Sequence, residues 1–159
     1  MYSNFSVKIL VRNKKAHFEY QIIKTFEAGI VLTGFELKSI LAHHINIEES
    51  YVKSRDNELY IFNAHISKYK YATDIVNLYS EFRDRKLLLH KKEIQNILDE
   101  MKLQRYAVIP LKIYLGKSNK VKVEIALALG KKKYDKRQAL MKKDNDRDKR
   151  DTLKYSFAN

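Results

Sequence analysis

Strict alternation of apolar and polar positions is clearest in "VKVEIALAL", where Val121, Val123, Ile125, Leu127 and Leu129 face one way and Lys122 and Glu124 the other. That period predicts a half-buried strand, and "AVIPLKIYL" just before it has the same character across the turn-prone "GKSNK". Pro110 has no N–H for a ladder, so its strand lies at an edge or is bulged there. "FEYQIIKTFEAGIVL", Phe18 to Leu32, is aromatic and β-branched, and predicts one long bent strand or two short ones, with Gly29 where a bend or bulge falls. "YVKSRDNELYIF" predicts a hairpin about Asp56-Asn57, residues whose short polar side chains tolerate left-handed backbone.

The helical period appears twice in the body of the chain. "KKEIQNILDEMKLQ" sets Ile94, Ile97, Leu98 and Met101 on one face with charges opposite. "FELKSILAHH" carries Leu37, Ile40, Leu41 and His44 at i, i+3, i+4 and i+7, predicting a short helix packed on a sheet. Lys68 to Arg85 shows no steady period and reads as a loop lined by Tyr69, Tyr71, Tyr79 and Phe82. About six short strands and two helices make a mainly β protein with flanking helices, a small closed or nearly closed β-barrel of a kind common among oligonucleotide binders.

Charge changes the picture more than composition does. The 159 residues, 45% hydrophobic, suffice for one domain with a core and are too few for two ordinary ones. Cysteine is absent, and no signal-like segment or long apolar run is seen, so a cytoplasmic protein is expected and neither secretion nor membrane insertion is indicated. Net charge is +13; residues 1–129 hold 21 basic and 14 acidic side chains (+7), and residues 130–159 hold 11 and 5 (+6). An excess of this size implies a polyanionic partner, nucleic acid before membrane.

Catalytic chemistry finds little support. His43-His44 with Glu48-Glu49 is the one group of potential metal ligands, but neighbouring helical histidines diverge by about 100°, and His44 reads more simply as a packed residue closing the apolar stripe. His17, His65 and His90 stand apart, no nucleophile elbow is present, and the four glycines form no phosphate loop. Catalytic residues, metal and cofactor are therefore all expected to be none. Binding chemistry is better supplied: Arg12, Lys14 and Lys15 precede the predicted first strand, and "KYKY", Lys68 to Tyr71, interleaves ammonium groups with rings. That stretch can stack bases and neutralise phosphate, or equally be core aromatics beside snorkelling lysines.

Beyond Gly130 the chain turns polar. Tyr134, Ala139, Leu140, Met141, Leu153, Tyr155, Phe157 and Ala158 form no sustained stripe, so the tail alone buries too little to offset its ordering entropy and is expected to be disordered when free. It nevertheless lacks Pro and Gly from Tyr134 to Lys154 and pairs Asp146 with Arg150 and Arg147 with Asp151 at i, i+4. Asp144 and Asp148 repel at the same spacing. A marginal helix that forms on a charged surface is the expectation.

Taken together, "NKKAHFEY", "FEAGIVLTGFELKS", "RKLLLHKKEI", "VIPLKIYL" and "VKVEIALALGKKKYDKR" resemble the SsrA-binding protein (small protein B) family of bacterial trans-translation, in family order from Asn13 to Arg137. The resemblance implies a six-stranded oligonucleotide-binding-type barrel over residues 1–130 and a basic tail over 131–159. It implies a non-enzymatic, monomeric protein that binds transfer-messenger RNA (tmRNA, or SsrA RNA) and enters ribosomes stalled on messages without a stop codon. There the tail occupies the decoding centre and the empty mRNA channel, meeting small-subunit RNA and turning helical. A basic ribosomal-type structural protein that threads ribosomal RNA is the alternative.

By the same resemblance, the RNA-contact positions are Asn13, Lys14, Lys15, Glu36, Lys38, Ser39, Lys86, Lys122, Lys131, Lys132 and Lys133. Glu36 is the least intuitive: it can accept from a base amino group or hold a neighbouring Lys, or be an ordinary exposed helix residue. The leucines at 87 to 89 read as packing residues. Tyr134, Asp135, Lys136 and Arg137 are the tail's entry to the decoding centre. Phe35 and Leu37 stand where the family usually has Thr and Val, and "YATDIVNLYSEFRD" lacks the family's Gly- and His-Asp-Pro-containing loop, so no contacts carry over there.

Overall fold

The computed structural model describes residues 7–71 and 79–157. Nine strands and four helices are found among them: β1 (Lys8–Arg12), α1 (Ala16–Glu19), β2 (Tyr20–Ile30), α2 (Gly34–Leu41), β3 (Ile45–Asn46), β4 (Tyr51–Arg55), β5 (Glu58–Phe62), β6 (His65–Ile66), β7 (Arg85–Leu88), α3 (Lys91–Leu103), β8 (Ala107–Leu115), β9 (Val121–Gly130) and α4 (Lys133–Phe157). Six strands close a ring of pairings, β8-β4-β5-β7-β2-β9 and back to β8. β1 extends the sheet on the part of β8 that β4 leaves open: β1 runs beside Lys112–Leu115, and β4 touches β8 at Val52↔Val108.

Side-chain alternation fills the ring. Val52, Leu59, Ile61, Leu87, Ile113, Val123 and Ile125 are buried inside, and Ile40 of α2 and Ile97 of α3 join the same cluster. α3 matches its predicted face, with Ile94, Ile97 and Leu98 buried and Met101 half-buried. α2 does not: it buries Ser39 and Ile40, while Leu37, Leu41 and His44 are exposed. Packing closed over one turn of this short helix rather than along its apolar stripe. A second, smaller cluster of Ala16, Ile109, Leu111, Ala126 and Ala128 lies on the other face of β8 and β9, beneath α1. Leu129, predicted to continue the inner face, is exposed near the end of β9.

The hairpin turn is where the sequence places it, with Asp56 and Asn57 both at positive φ (51° and 57°). Pro110 lies in a strand paired on both sides, and the bulge is there, between Pro110 and Lys112. Gly29 lies in no bulge; the irregularity in β2 falls between Ile22 and Lys24. Gly29 instead permits close approach, since a Cβ there would sit 3.2 Å from the Leu88 Cβ. α1, β3 and β6 are too short to carry a readable period, the KILVR of β1 has three apolar residues in a row and no alternation, and Arg12, expected ahead of the first strand, closes β1. β7 holds only one alternation in its four residues, too little to mark a strand.

Where disorder was expected, the structure has α4 as one continuous 25-residue helix. Its physical basis is the uninterrupted run of helix-forming residues rather than packing, since Lys136 to Leu153 is mostly exposed. No helix among the described residues is long and apolar enough to cross a membrane.

Candidate nucleic-acid interface

The long β2–β9 ladder, Tyr20↔Gly130 to Gly29↔Lys122, separates the sequence-predicted contact residues into two groups. Nine residue steps at roughly 3.3 Å each set the two ends about 30 Å apart.

At the Tyr20 end, Asn13 organises the backbone. Its Oδ1 accepts N–H bonds from Lys15 (3.2 Å) and Ala16 (3.1 Å), its Nδ2 donates to the Pro110 carbonyl (3.1 Å), and its own N–H bonds Leu111 O (2.8 Å). Asn13, among the predicted contact positions, is buried with its polar atoms engaged; it starts α1 and presents Lys14 and Lys15, both exposed. Lys15 Nζ bonds Glu49 Oε1 at 2.8 Å, and that carboxylate holds the ammonium above its ordinary value. The Lys131 N–H donates to Glu19 O and its Nζ to His17 O, both at 2.9 Å, which fastens the root of α4 to α1. Lys132 and Arg137 are exposed and Lys136 half-buried. The side chains of Lys133, Tyr134 and Asp135 lie outside the described residues.

The Gly29 end is built on Glu36. Thr33 and Glu36 form a reciprocal cap at the start of α2, Thr33 Oγ1 accepting the Glu36 N–H and Glu36 Oε2 accepting the Thr33 N–H. The same carboxylate receives Arg83 Nη2 at 2.7 Å and Arg85 Nε at 2.9 Å. Burial alone pushes this carboxyl up; the bonds from Arg83 and the Thr33 backbone, with the charges of Arg85 and Arg83, outweigh it and hold it below the usual carboxylate range. Glu36 therefore orients two arginines. Arg85 is fully buried and also donates to Ala64 O and Glu81 O. Arg83 keeps about a third of its side chain exposed (32%), so it is the member able to meet an outside anion.

Around this cluster, Lys38 is exposed over the Tyr69 ring (5.3 Å). Ser39, predicted as a contact, is fully buried, and its hydroxyl has no hydrogen-bond partner among the described residues. Lys86 Nζ approaches Glu58 (3.4 Å) and Lys122 Nζ approaches Glu27 (3.9 Å), both loose, partly exposed pairs. Lys122 borders an open cavity of ≈ 460 Å³ with Gly29, Leu32, Leu37, Leu88 and Lys120. Arg83 and Arg85 were not found by sequence reasoning. The signal for them was the T-x-x-E spacing, which marks Glu36 as a capping residue turned back toward the fold. His43 and His44 bring no ligand set together: His43 Nδ1 bonds Leu10 O (3.0 Å), and no group of three or more His, Cys, Asp or Glu able to hold a metal occurs among the described residues.

A ring of strands with exposed cations at both ends, and a carboxylate spent on orienting arginines, defines a small basic protein built to meet a polyanion. The family model described as "SmpB protein" matches residues 10–155, and the chain belongs to that family. It is 51% identical to the SsrA-binding protein of Mycoplasma mycoides over 142 residues, 89% of this chain and 95% of the relative. It is 45% identical to that of Fervidobacterium nodosum over 152 residues, 94% and 99% of the two chains. Among solved structures it is similar to a chain described under "tmRNA-SmpB: a journey to the center of the bacterial ribosome", with a TM-score of 0.63 and 36% identity over 77% of this chain and 85% of that one.

Proposed function

We propose that this chain binds transfer-messenger RNA and acts with it in trans-translation on stalled ribosomes. The observation that carries the reading is the near full-length match to SsrA-binding proteins, at 51% and 45% identity, on a fold shared with SmpB. The ring serves as a non-enzymatic barrel of the oligonucleotide-binding type, and the RNA meets the Gly29 end: Arg83 held by Glu36, with Lys38, Lys86 and Lys122. Lys14, Lys15, Lys131 and Lys132 form a separate cationic group where α4 leaves the ring. α4, marginal as a free helix because Asp144 and Asp148 repel, enters the decoding centre and the empty mRNA channel of the small subunit. Tyr134, Asp135, Lys136 and Arg137 come first. The protein works as a cytoplasmic monomer without a cofactor.

Truncation after Gly130 tests the division of labour, because β9 ends there and, among the described residues, none of α4 belongs to either buried cluster. Binding of transfer-messenger RNA survives in a gel-shift titration, while peptide tagging on stalled ribosomes is lost. Loss of RNA binding by a folded truncation would overturn the assignment of the RNA to the ring. Co-sedimentation with about one copy per small subunit, independent of stalling, would favour a permanent ribosomal component instead.

A further inference from the structure

Outward-facing residues of the β4–β5 hairpin carry an aromatic strip that the contact residues described above leave out. Val52, Leu59 and Ile61 point into the ring, so Tyr51, Lys53 and Arg55 of β4 face outward with Glu58, Tyr60 and Phe62 of β5. Tyr51 and Phe62 are cross-strand partners whose ring planes are nearly parallel (8°), stacked with centroids 5.6 Å apart. Lys53 Nζ lies 5.1 Å from the Tyr51 centroid, and the Arg55 guanidinium 5.2 Å from both Tyr60 and Phe62. Among the described residues, neither the Tyr51 nor the Tyr60 hydroxyl has a hydrogen-bond partner. Rings held parallel on an exposed sheet face, flanked by cations, form a platform for unpaired bases.

We infer that this strip stacks unpaired bases of the same transfer-messenger RNA that the Glu36 end holds, an inference that rests on the function proposed above. Continuity selects this source. Tyr60 is the cross-strand partner of Lys86, and Lys86 is followed two residues on by Leu88 at the border of the open cavity. One RNA can therefore run from the cavity over Lys86 onto the rings. Local charge fits stacking rather than phosphate clamping. Asp84 takes Arg55 at 2.8 Å and Glu58 approaches Lys86, so the cations next to the rings are partly neutralised, and the strip offers the exposed Tyr51 ring beside the half-buried rings of Tyr60 and Phe62.

The test is a binding titration of full-length protein with transfer-messenger RNA over a range of salt. Tyr51→Leu/Phe62→Leu keeps apolar cover on the sheet and removes both π-faces; it is expected to weaken binding about tenfold or more, with an unchanged slope of log K against log salt because no cation is removed. Tyr51→Phe/Phe62→Tyr keeps both rings and wild-type affinity. Ultraviolet cross-linking of the wild-type complex needs no variant to fold, and RNA adducts are expected on the peptide containing Tyr51 or Phe62. Wild-type affinity in a folded leucine variant overturns the inference, and does so equally if tagging then fails, since that assigns the rings to ribosomal RNA. Adducts confined to other peptides also overturn it. Wild-type protein that binds no transfer-messenger RNA sinks the proposed function itself.

Discussion

Arg85, with no exposed side-chain surface, donates its Nε to Glu36 Oε1 at 2.9 Å. This pair ties the first residue of β7 to the first turn of α2, and Nη1 and Nη2 donate to Ala64 O and Glu81 O. Burial pushes the Arg85 guanidinium down, and the Glu36 carboxylate opposes that shift. The fold gives the carboxylate among the predicted RNA contacts a further role: it compensates the charge of one arginine in the interior and holds a second one at the surface.

Removing one partner of such a pair leaves a buried charge without compensation, so Glu36→Ala is expected to cost about 3–5 kcal/mol of stability, a fall of roughly 10 °C or more in Tm. Arg83→Ala removes the partly exposed member and should change stability by no more than about 1 kcal/mol while weakening RNA binding. Thermal melts beside RNA titrations check both. An equal loss of stability from the two substitutions would refute the division between them.

Acid stability follows from the same site. The Glu36 carboxyl is held below its unfolded value of about 4.3. Its contribution is therefore fully present above that value and is lost as pH falls through the folded value. Glu81, lowered by the Lys68 N–H and by His65, adds in the same sense. Urea midpoints measured from pH 6 down to pH 3 should decline, and Glu36→Gln should flatten the decline in the window below about 4.3. An unchanged pH slope in that variant would remove Glu36 from the account.

Asn13 offers a separable case. Asn13→Ala leaves the Pro110 carbonyl and the Lys15 and Ala16 amides without their partner and should cost about 1–3 kcal/mol. It removes no cation but unseats Lys14 and Lys15, so any loss of RNA affinity should come together with the loss of stability. Lys132→Gln should do the opposite: unchanged melting, and a salt slope reduced by about one unit if Lys132 meets a phosphate.

The isolated segment spanning α4 tests how marginal its helix is. Asp144→Asn removes the i, i+4 repulsion with Asp148 at nearly constant intrinsic propensity. Helix content by circular dichroism at 222 nm should rise, by about 0.2–0.5 kcal/mol in helix stability. No change would mean that side-chain repulsion does not limit the helix.

Periodicity and local turn chemistry determined much of this protein in advance. β8 and β9 could be read because long β-branched and apolar runs, with Lys122 and Glu124 alternating against Val121, Val123 and Ile125, fit a strand, although both strands proved to be covered on two faces in their middle. The hairpin could be read because Asp56-Asn57 tolerates left-handed backbone, and α3 because its apolar face spans three turns. The charge excess and the motif blocks likewise determined the kind of partner and the family, because they are properties of the chain and not of its folding.

Tertiary structure decided what each polar side chain does. Asn13 and Ser39 sit in motif blocks but went inside, where hydrogen bonding and close packing act on residues distant in sequence: Asn13 meets Pro110 across 97 positions. Glu36 acquired its role from Arg83 and Arg85, 47 and 49 positions away, once ring closure brought β7 beside α2. Tyr51 and Phe62 became one surface only when the hairpin register placed them opposite each other. Burial and pairing at long separation are set by how the ring closes, and no local period encodes that.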